Sequence, residues 1–166
     1  MSQFAPHTRV EIRPVTANDV PLLLALIHEL AQYERLAHEV ETTEDSLRDA
    51  LFGARSVAEA LIAEIDGRPV GYAIFFRNFS SFTGRPGIYL EDVYVQPVSR
   101  GQGVGKRLLA HVARLAVERG CARFEWAVLD WNEPSIEFYK SLGARAMSEW
   151  TIYRLTGAEL EKLASG

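Results

Sequence analysis

A chain of 166 residues with 48% apolar and 24% charged side chains has the size and make-up of one globular domain with a substantial core. Its net charge of −4 argues against a nucleic-acid partner and suits a cationic one, and no apolar run approaches the ~20 residues of a membrane-spanning helix. A single cysteine excludes an internal disulfide, and MSQFAPHTRV carries no apolar secretory segment, so a reducing cytoplasm is the expected location.

Residues 1–8 are expected to be a flexible N-terminus and 9–166 a single domain. Arg9 to Val15 alternates enough to predict a strand. Thr16 or Asn18 suits the cap of the next helix, with Asp19 in its first turn and Pro21 tolerated near its start. Leu23, Leu26, Ile27 and Leu30 make a helical stripe ending near Tyr33. Thr42-Thr43-Glu44-Asp45 resembles a capping box, with Asp45 in the acidic position, and predicts a second helix through Leu51 that Gly53 stops.

Val57 to Ile65 and Val70 to Phe76 predict two strands joined at Asp66-Gly67, a strong hairpin signal. Asn78 to Gly87 is rich in Ser, Gly and Pro and predicts a loop. A strand follows over Ile88 to Val95. Val104, Leu108, Val112 and Leu115 then line one face of a helix that Gly120 ends. Ala122 to Leu129 predicts a strand. Asn132 caps a helix with Pro134 in its first turn, ending at Gly143. Trp150 to Leu155 predicts a last strand, and Ala158 to Leu163 a closing helix. Strands and helices mix without strict alternation, so the expected fold class is α/β with a mixed sheet flanked by helices.

The most informative stretch joins the Ile88–Val95 strand to the helix after it through Arg100-Gly101-Gln102-Gly103-Val104-Gly105. Backbone N–H groups at a helix start lack internal partners and carry partial positive charge, and glycines let a phosphate approach them. A plain glycine turn would read the same way. A Walker A loop is excluded: only three residues separate Gly101 from Gly105-Lys106, and Arg107 stands where Ser or Thr is required. A dinucleotide fingerprint is excluded because Lys106 occupies its third glycine position.

Arg100-x-x-Gly103-x-Gly105 resembles the signature of the GNAT N-acetyltransferases, which bind acetyl-CoA. Tyr89-Leu90-Glu91-Asp92, Leu129-Asp130-Trp131-Asn132 and Phe138-Tyr139-Lys140 are similar to the polyamine and thialysine N-acetyltransferase branch. The resemblance runs from Arg9 through nearly the whole chain and is densest from Ile88 to Ala144. It implies the element order β-α-α-β-β-β-α-β-α-β, with central strands splayed around acetyl-CoA. It also implies that Arg100, Gly101, Gln102, Gly103, Val104, Gly105 and Lys106 wrap the pyrophosphate, mainly through main-chain N–H groups. Val93, Tyr94 and Val95 would offer main-chain bonds to the pantetheine arm and the acetyl carbonyl. Asn132 and Ser135 match further cofactor positions, although Asn132 also reads as a simple helix cap.

Acetylating an amine requires its deprotonation, since an ammonium with a pKa near ~10.4 has no lone pair, and the departing thiolate needs a proton or a hydrogen bond. Acidic and aromatic candidates for the amine site are Tyr33, Glu34, Glu91, Asp92, Glu125, Trp126 and Glu149. Neighbouring strand residues point to opposite faces, so only one of Glu91 and Asp92 is expected to face the cleft. The resemblance selects Glu91 as base, directly or through water, and leaves Asp92 a supporting role. It assigns Tyr139 to the thiolate, against the alternative of a core tyrosine beside Phe138. His28-Glu29-Leu30-Ala31-Gln32 lacks the second histidine of a zinc motif, and His7, His38 and His111 show no ligand spacing, so no metal is expected. Cys121 is expected to be a buried, inert thiol, and Arg114 and Arg119 a solvated face.

The expected activity is direct transfer of acetyl from acetyl-CoA to a small primary amine, either a lysine-like amino acid such as thialysine or a polyamine. A protein-amine acetyltransferase and a non-catalytic acyl-CoA-binding module are the alternatives. No nucleic acid or membrane partner is expected. The resemblance implies a homodimer through the C-terminal region, where Trp150 and Tyr153 could pack.

Overall fold

The computed structural model describes residues 9–166, and the chain divides after Ala127 into two units. The predicted flexible N-terminus, residues 1–8, lies outside the described residues. The first unit carries a five-stranded sheet in the spatial order β1-β2-β3-β4-β5. Its strands are β1 (Val10–Pro14), β2 (Glu59–Ile65), β3 (Arg68–Ser80), β4 (Arg85–Val95) and β5 (Phe124–Trp126). All neighbours are antiparallel except β4 and β5, which run parallel. Between β1 and β2 come α1 (Val20–Tyr33) and α2 (Glu44–Phe52), and α3 (Val104–Glu118) makes the crossover that a parallel β4–β5 pair requires. The mixed α/β class expected from the sequence is the one observed.

Local chemistry sets the starts of these elements. The Asp19 carboxylate accepts from the Thr16 backbone N–H at 2.7 Å, closing a short 3-10 turn that leads into α1. Arg13 of β1 donates to both oxygens of Asp19 and, through Nε, to Glu64 of β2, each at 2.9 Å. That guanidinium holds the Asp19 carboxyl well below the usual carboxylate range. For α2 the cap is Thr43 and its partner is Ser46, whose hydroxyl accepts from the Thr43 N–H at 2.9 Å. Asp45 therefore does not close the box; the shorter Ser46 side chain occupies the returning position.

The stripe on α1 buries Val20, Leu23 and Leu26 against Ile62, Tyr72, Ile74 and Tyr94 on one sheet face. The alternate residues Leu61, Ala73, Phe75 and Leu90 are buried too, and α3 lies against β1 to β4 with Val104, Leu108, Val112 and Ala116 buried. Asp66 and Gly67 both have positive φ, 49° and 76°, as the tight β2–β3 hairpin requires.

Four expectations for the first unit are corrected. Asn78 to Gly87 is not a loop: β3 runs to Ser80 and β4 starts at Arg85, with Asn78 paired to Gly87 and Phe79 to Pro86. Strand pairing overrides a turn-like composition there. Only Phe124–Trp126 of the Ala122–Leu129 segment is a strand, and Cys121, outside it, is partly buried rather than buried. Arg119 is not simply solvated but pairs with Glu59.

The second unit contains α4 (Glu133–Ser141) and α5 (Gly157–Ala164). The strand expected over Trp150–Leu155 is not formed among the described residues, and Trp150 and Tyr153 are 73% and 93% exposed. An apolar run specifies a strand only when a partner edge is available to it.

The β3–β4 pairing closes on Gly71 opposite Val95, the last rung before the glycine loop. A Cβ at Gly71 would press into the Tyr94 carbonyl and lie 3.2 Å from the Val95 Cα. Gly71→Ala is expected to destabilise the fold by about 1–3 kcal/mol in urea denaturation, because backbone must shift to admit the methyl. Parental stability in that variant would show that the two strands do not need this close approach.

Candidate active site

β4 ends in a short 3-10 turn, Pro97–Ser99, and the chain then passes through Arg100, Gly101 and Gln102 to Gly103, the N-cap of α3. Gly101 and Gly103 both adopt φ of 77°, a left-handed conformation that favours glycine. No protein atom lies within 4 Å of a Cβ built on either, so packing does not demand glycine here; backbone conformation and access to the loop do. Gly103 offers no side chain as a cap, and the first helical bond runs from the Arg107 N–H to the Gly103 carbonyl at 3.1 Å. The N–H groups of Val104, Gly105 and Lys106 therefore have no partner inside the helix. The first turn contains no acidic residue, and Lys106 is exposed there. Uncapped N–H groups, open glycines and a lysine fit a phosphate-bearing ligand such as acetyl-CoA.

The Arg100 side chain takes another direction. Its Nε donates to the Val95 carbonyl at 2.9 Å, and its guanidinium carbon lies 4.6 Å from the centroid of the Tyr33 ring and 5.8 Å from that of Tyr94.

The acidic side of the site depends on a bulge. The register pairs Ile74 with Asp92 and then Phe75 with Leu90, so Glu91 is the extra residue. Ile74 and Phe75 face opposite sides of the sheet. Asp92 accordingly shares the α1 face with Ile74 and Tyr72, while Leu90 faces the α3 side with Phe75. Leu90 and Asp92, two residues apart, therefore face opposite sides of the sheet, where a regular strand would place them on the same one. Glu91 itself is exposed.

Asp92 accepts a hydrogen bond from the Tyr72 hydroxyl at 3.2 Å. Burial, helped by repulsion from Glu91 and Glu34 and opposed by that bond, raises the Asp92 pKa to about 6. Glu34 is the C-cap of α1, directly after Tyr33, and burial raises its pKa too. Two carboxyl groups that repel each other in a partly desolvated place form a good receptor for an ammonium, whose charge would relieve both.

Glu125 pairs in register with Tyr89, which pairs with Phe76, so Glu125 belongs to the same face as Asp92. Trp126 pairs with Leu90 and faces the other side, with its ring 4.9 Å from that of Phe124. Of these two amine-site candidates, only Glu125 is therefore on the Asp92 face. Glu125 also accepts from Asn78 Nδ2 at 3.0 Å and Arg123 Nε at 2.7 Å.

In the second unit, Asn132 is buried and caps α4, its Oδ1 accepting from the Ser135 N–H at 3.4 Å. Tyr139 lies two turns further along α4, partly buried, with its ring 5.6 Å from that of Phe138. Glu149 is exposed beyond α4.

Sequence reading missed Tyr72 and Glu29. Tyr72 is fully buried in a strand, with nothing in its neighbourhood to mark it. Glu29 accepts from the Tyr94 hydroxyl at 3.2 Å and from Gln96 Nε2 at 3.0 Å. Its place four residues before Tyr33 put it on the same helix face, a signal that was there to find.

The raised Asp92 pKa has a stability consequence. The folded state binds the proton more tightly than the unfolded chain, whose Asp titrates near 3.8. Stability is therefore fully present below about pH 4 and falls as pH rises to about 6, by about 3 kcal/mol in all. Asp92→Asn is expected to melt higher than the parent at pH 7.5, with the gap shrinking towards pH 3.5. A pH-independent difference in thermal melts would contradict the burial of this carboxyl.

Residues 23–144 match the acetyltransferase (GNAT) family. The chain is 41% identical to a thialysine N-epsilon-acetyltransferase of Sus scrofa, over 93% of this chain and 97% of the relative. It is 32% identical to an L-ornithine N5-acetyltransferase of Arabidopsis thaliana, over 92% and 86%. Among solved structures, an integron cassette protein of V. cholerae superposes with a TM-score of 0.79 at 28% identity, covering 95% of this chain and 98% of that one. With its glycine loop, its mixed sheet and these likenesses, the chain belongs to the GNAT acetyltransferase family.

Proposed function

We propose that residues 9–166 act as one catalytic domain that moves acetyl from acetyl-CoA to a small primary amine. Thialysine or another lysine-like amino acid is the first substrate class and a polyamine the second. The observation that carries this reading is the α1 face of the sheet, where Asp92, on the strand that leads into the glycine loop, is held partly buried against Tyr72 of β3 and repelled by Glu34 at the end of α1. The likeness to enzymes that acetylate thialysine and ornithine supports the amino-acid class. The accumulation of carboxylates favours a substrate with more than one positive charge and keeps polyamines in view.

Acetyl-CoA supplies the activated acyl group as a thioester. The loop from Arg100 to Lys106 binds it through main-chain N–H groups, with the main chain of Val93 to Val95 and with Asn132 and Ser135 as further contacts. Glu34 and Asp92 hold the ammonium, with Tyr33, Glu125 and Glu149 as further substrate contacts; Trp126, on the opposite face of the sheet, is left out of the amine site. Glu91, exposed at the bulge, takes the proton, directly or through water, and frees the lone pair. As the new C–N bond forms and the C–S bond breaks, Tyr139 gives its phenolic proton to the departing sulfur, the nitrogen sheds its second proton to solvent, and solvent returns one to the phenolate. The working location is the cytoplasm.

Mass spectrometry of an amine library incubated with acetyl-CoA tests the substrate class. Acetylated lysine analogues are expected first and polyamines second; acetylation of peptides alone would overturn the small-amine reading. In the same assay Tyr139→Phe is expected to lower kcat by roughly 10²–10⁴-fold, the usual range for one general acid, with little change in acetyl-CoA affinity. Near-full kcat in that variant would leave Tyr139 as a packing residue.

We further propose that a second copy of the chain covers the exposed Trp150, Ile152 and Tyr153 and gives the Trp150–Leu155 segment its strand partner. Sedimentation is expected to give a mass twice the 18.6 kDa of one chain. A single 18.6 kDa species at micromolar concentration would exclude the dimer.

A further inference from the structure

The arginine of the glycine loop is built into a cluster that faces away from a phosphate role. Its Nε is engaged by the Val95 carbonyl, and its guanidinium lies over the rings of Tyr33 and Tyr94. Tyr94 and Gln96, at the end of β4, both donate to Glu29 of α1. Glu29 and Tyr33 are four residues apart, so the last turn of α1 is gripped at two levels by the end of β4 and by the loop that follows it. Glu34 comes next, and then Arg35 with φ of 63°, a left-handed conformation that costs energy in a non-glycine residue and needs its surroundings to hold it. The turn that presents Tyr33 and Glu34 is thus held from the side where the donor binds.

We propose that Arg100 is a positioning residue that couples the donor loop to the amine side: through Tyr33 it sets the last turn of α1 when the loop is filled. The inference rests on the functional reading above and deepens it. Phosphate is served by the N–H groups of Val104, Gly105 and Lys106, while the Arg100 side chain carries the state of the loop to the residues that meet the amine. A cation stacked on two rings is suited to this, because its attraction depends on where the rings sit and is lost when they move apart.

Amide hydrogen exchange, with CoA as the probe, tests it on the wild-type protein, Arg100→Gln and Arg100→Lys. CoA is expected to slow exchange over residues 31–36 by about fivefold or more in the wild type. In Arg100→Gln that protection should be lost while calorimetry still finds CoA affinity within about threefold of the wild type. Arg100→Lys, which keeps a cation for the rings, should retain part of it. Equal protection in all three proteins would overturn the coupling, as would a wild type in which bound CoA leaves residues 31–36 unchanged. A loss of CoA affinity of about tenfold or more in Arg100→Gln, with protection intact at saturation, would make Arg100 a phosphate ligand instead. Failure of the wild type to acetylate any amine would sink the substrate reading alone, and the exchange measurement would still decide the role of Arg100.

Discussion

The bulge at Glu91 sets which side of the sheet each residue of β4 serves. Before it, Leu90 and Ile88 belong to the α3 side with Phe75; after it, Asp92 and Tyr94 belong to the α1 side with Ile74 and Tyr72. In a regular strand Asp92 would follow Leu90 onto the α3 side, where Phe75, Val104, Leu108 and Val112 are buried, a setting in which an ionised carboxylate is costly. One inserted residue turns it instead towards Tyr72 and Glu34 and leaves Glu91 unpaired in the ladder and exposed. The acidic face and the apolar face of one strand thereby coexist.

That arrangement stores an unfavourable interaction. A carboxyl raised to about 6 by burial and by its acidic neighbours weakens the fold at neutral pH. The sheet can bear this because Tyr72, Phe75, Ile62 and Leu90 around it are fully buried. Sites that violate a local rule inside an otherwise consistent fold are commonly the functional ones. At the glycine loop the sequence likewise forgoes a side-chain cap, leaving N–H groups for a ligand.

What was legible in the sequence was what local chemistry decides. Asp66-Gly67 demanded a turn, the stripe on α3 demanded a buried helix face, Asn132 demanded a cap, and Arg100 to Gly105 marked a loop before a helix. What was not legible depends on a partner distant in sequence. Asn78 to Gly87 looks like a loop until its two halves pair with each other. The bulge cannot be read from Leu-Glu-Asp-Val, because it exists only in the register against Ile74 and Phe75. Tyr72 carries no sign of its hydroxyl's partner, whereas the opposite facing of Glu125 and Trp126 is what two neighbours in any strand must show; only which of them shares the Asp92 face needed the register.

The central claim is that Asp92 is a partly buried carboxyl poised to meet an ammonium, and its own titration tests that most directly. Carbon-detected NMR of the Asp92 side chain should give a pKa near 6 in the free protein. Saturation with a cationic amine in the absence of acetyl donor should lower it, because a neighbouring ammonium favours the carboxylate. A carboxyl that titrates near 3.8, unmoved by the amine, would contradict both its burial and its place in the amine site.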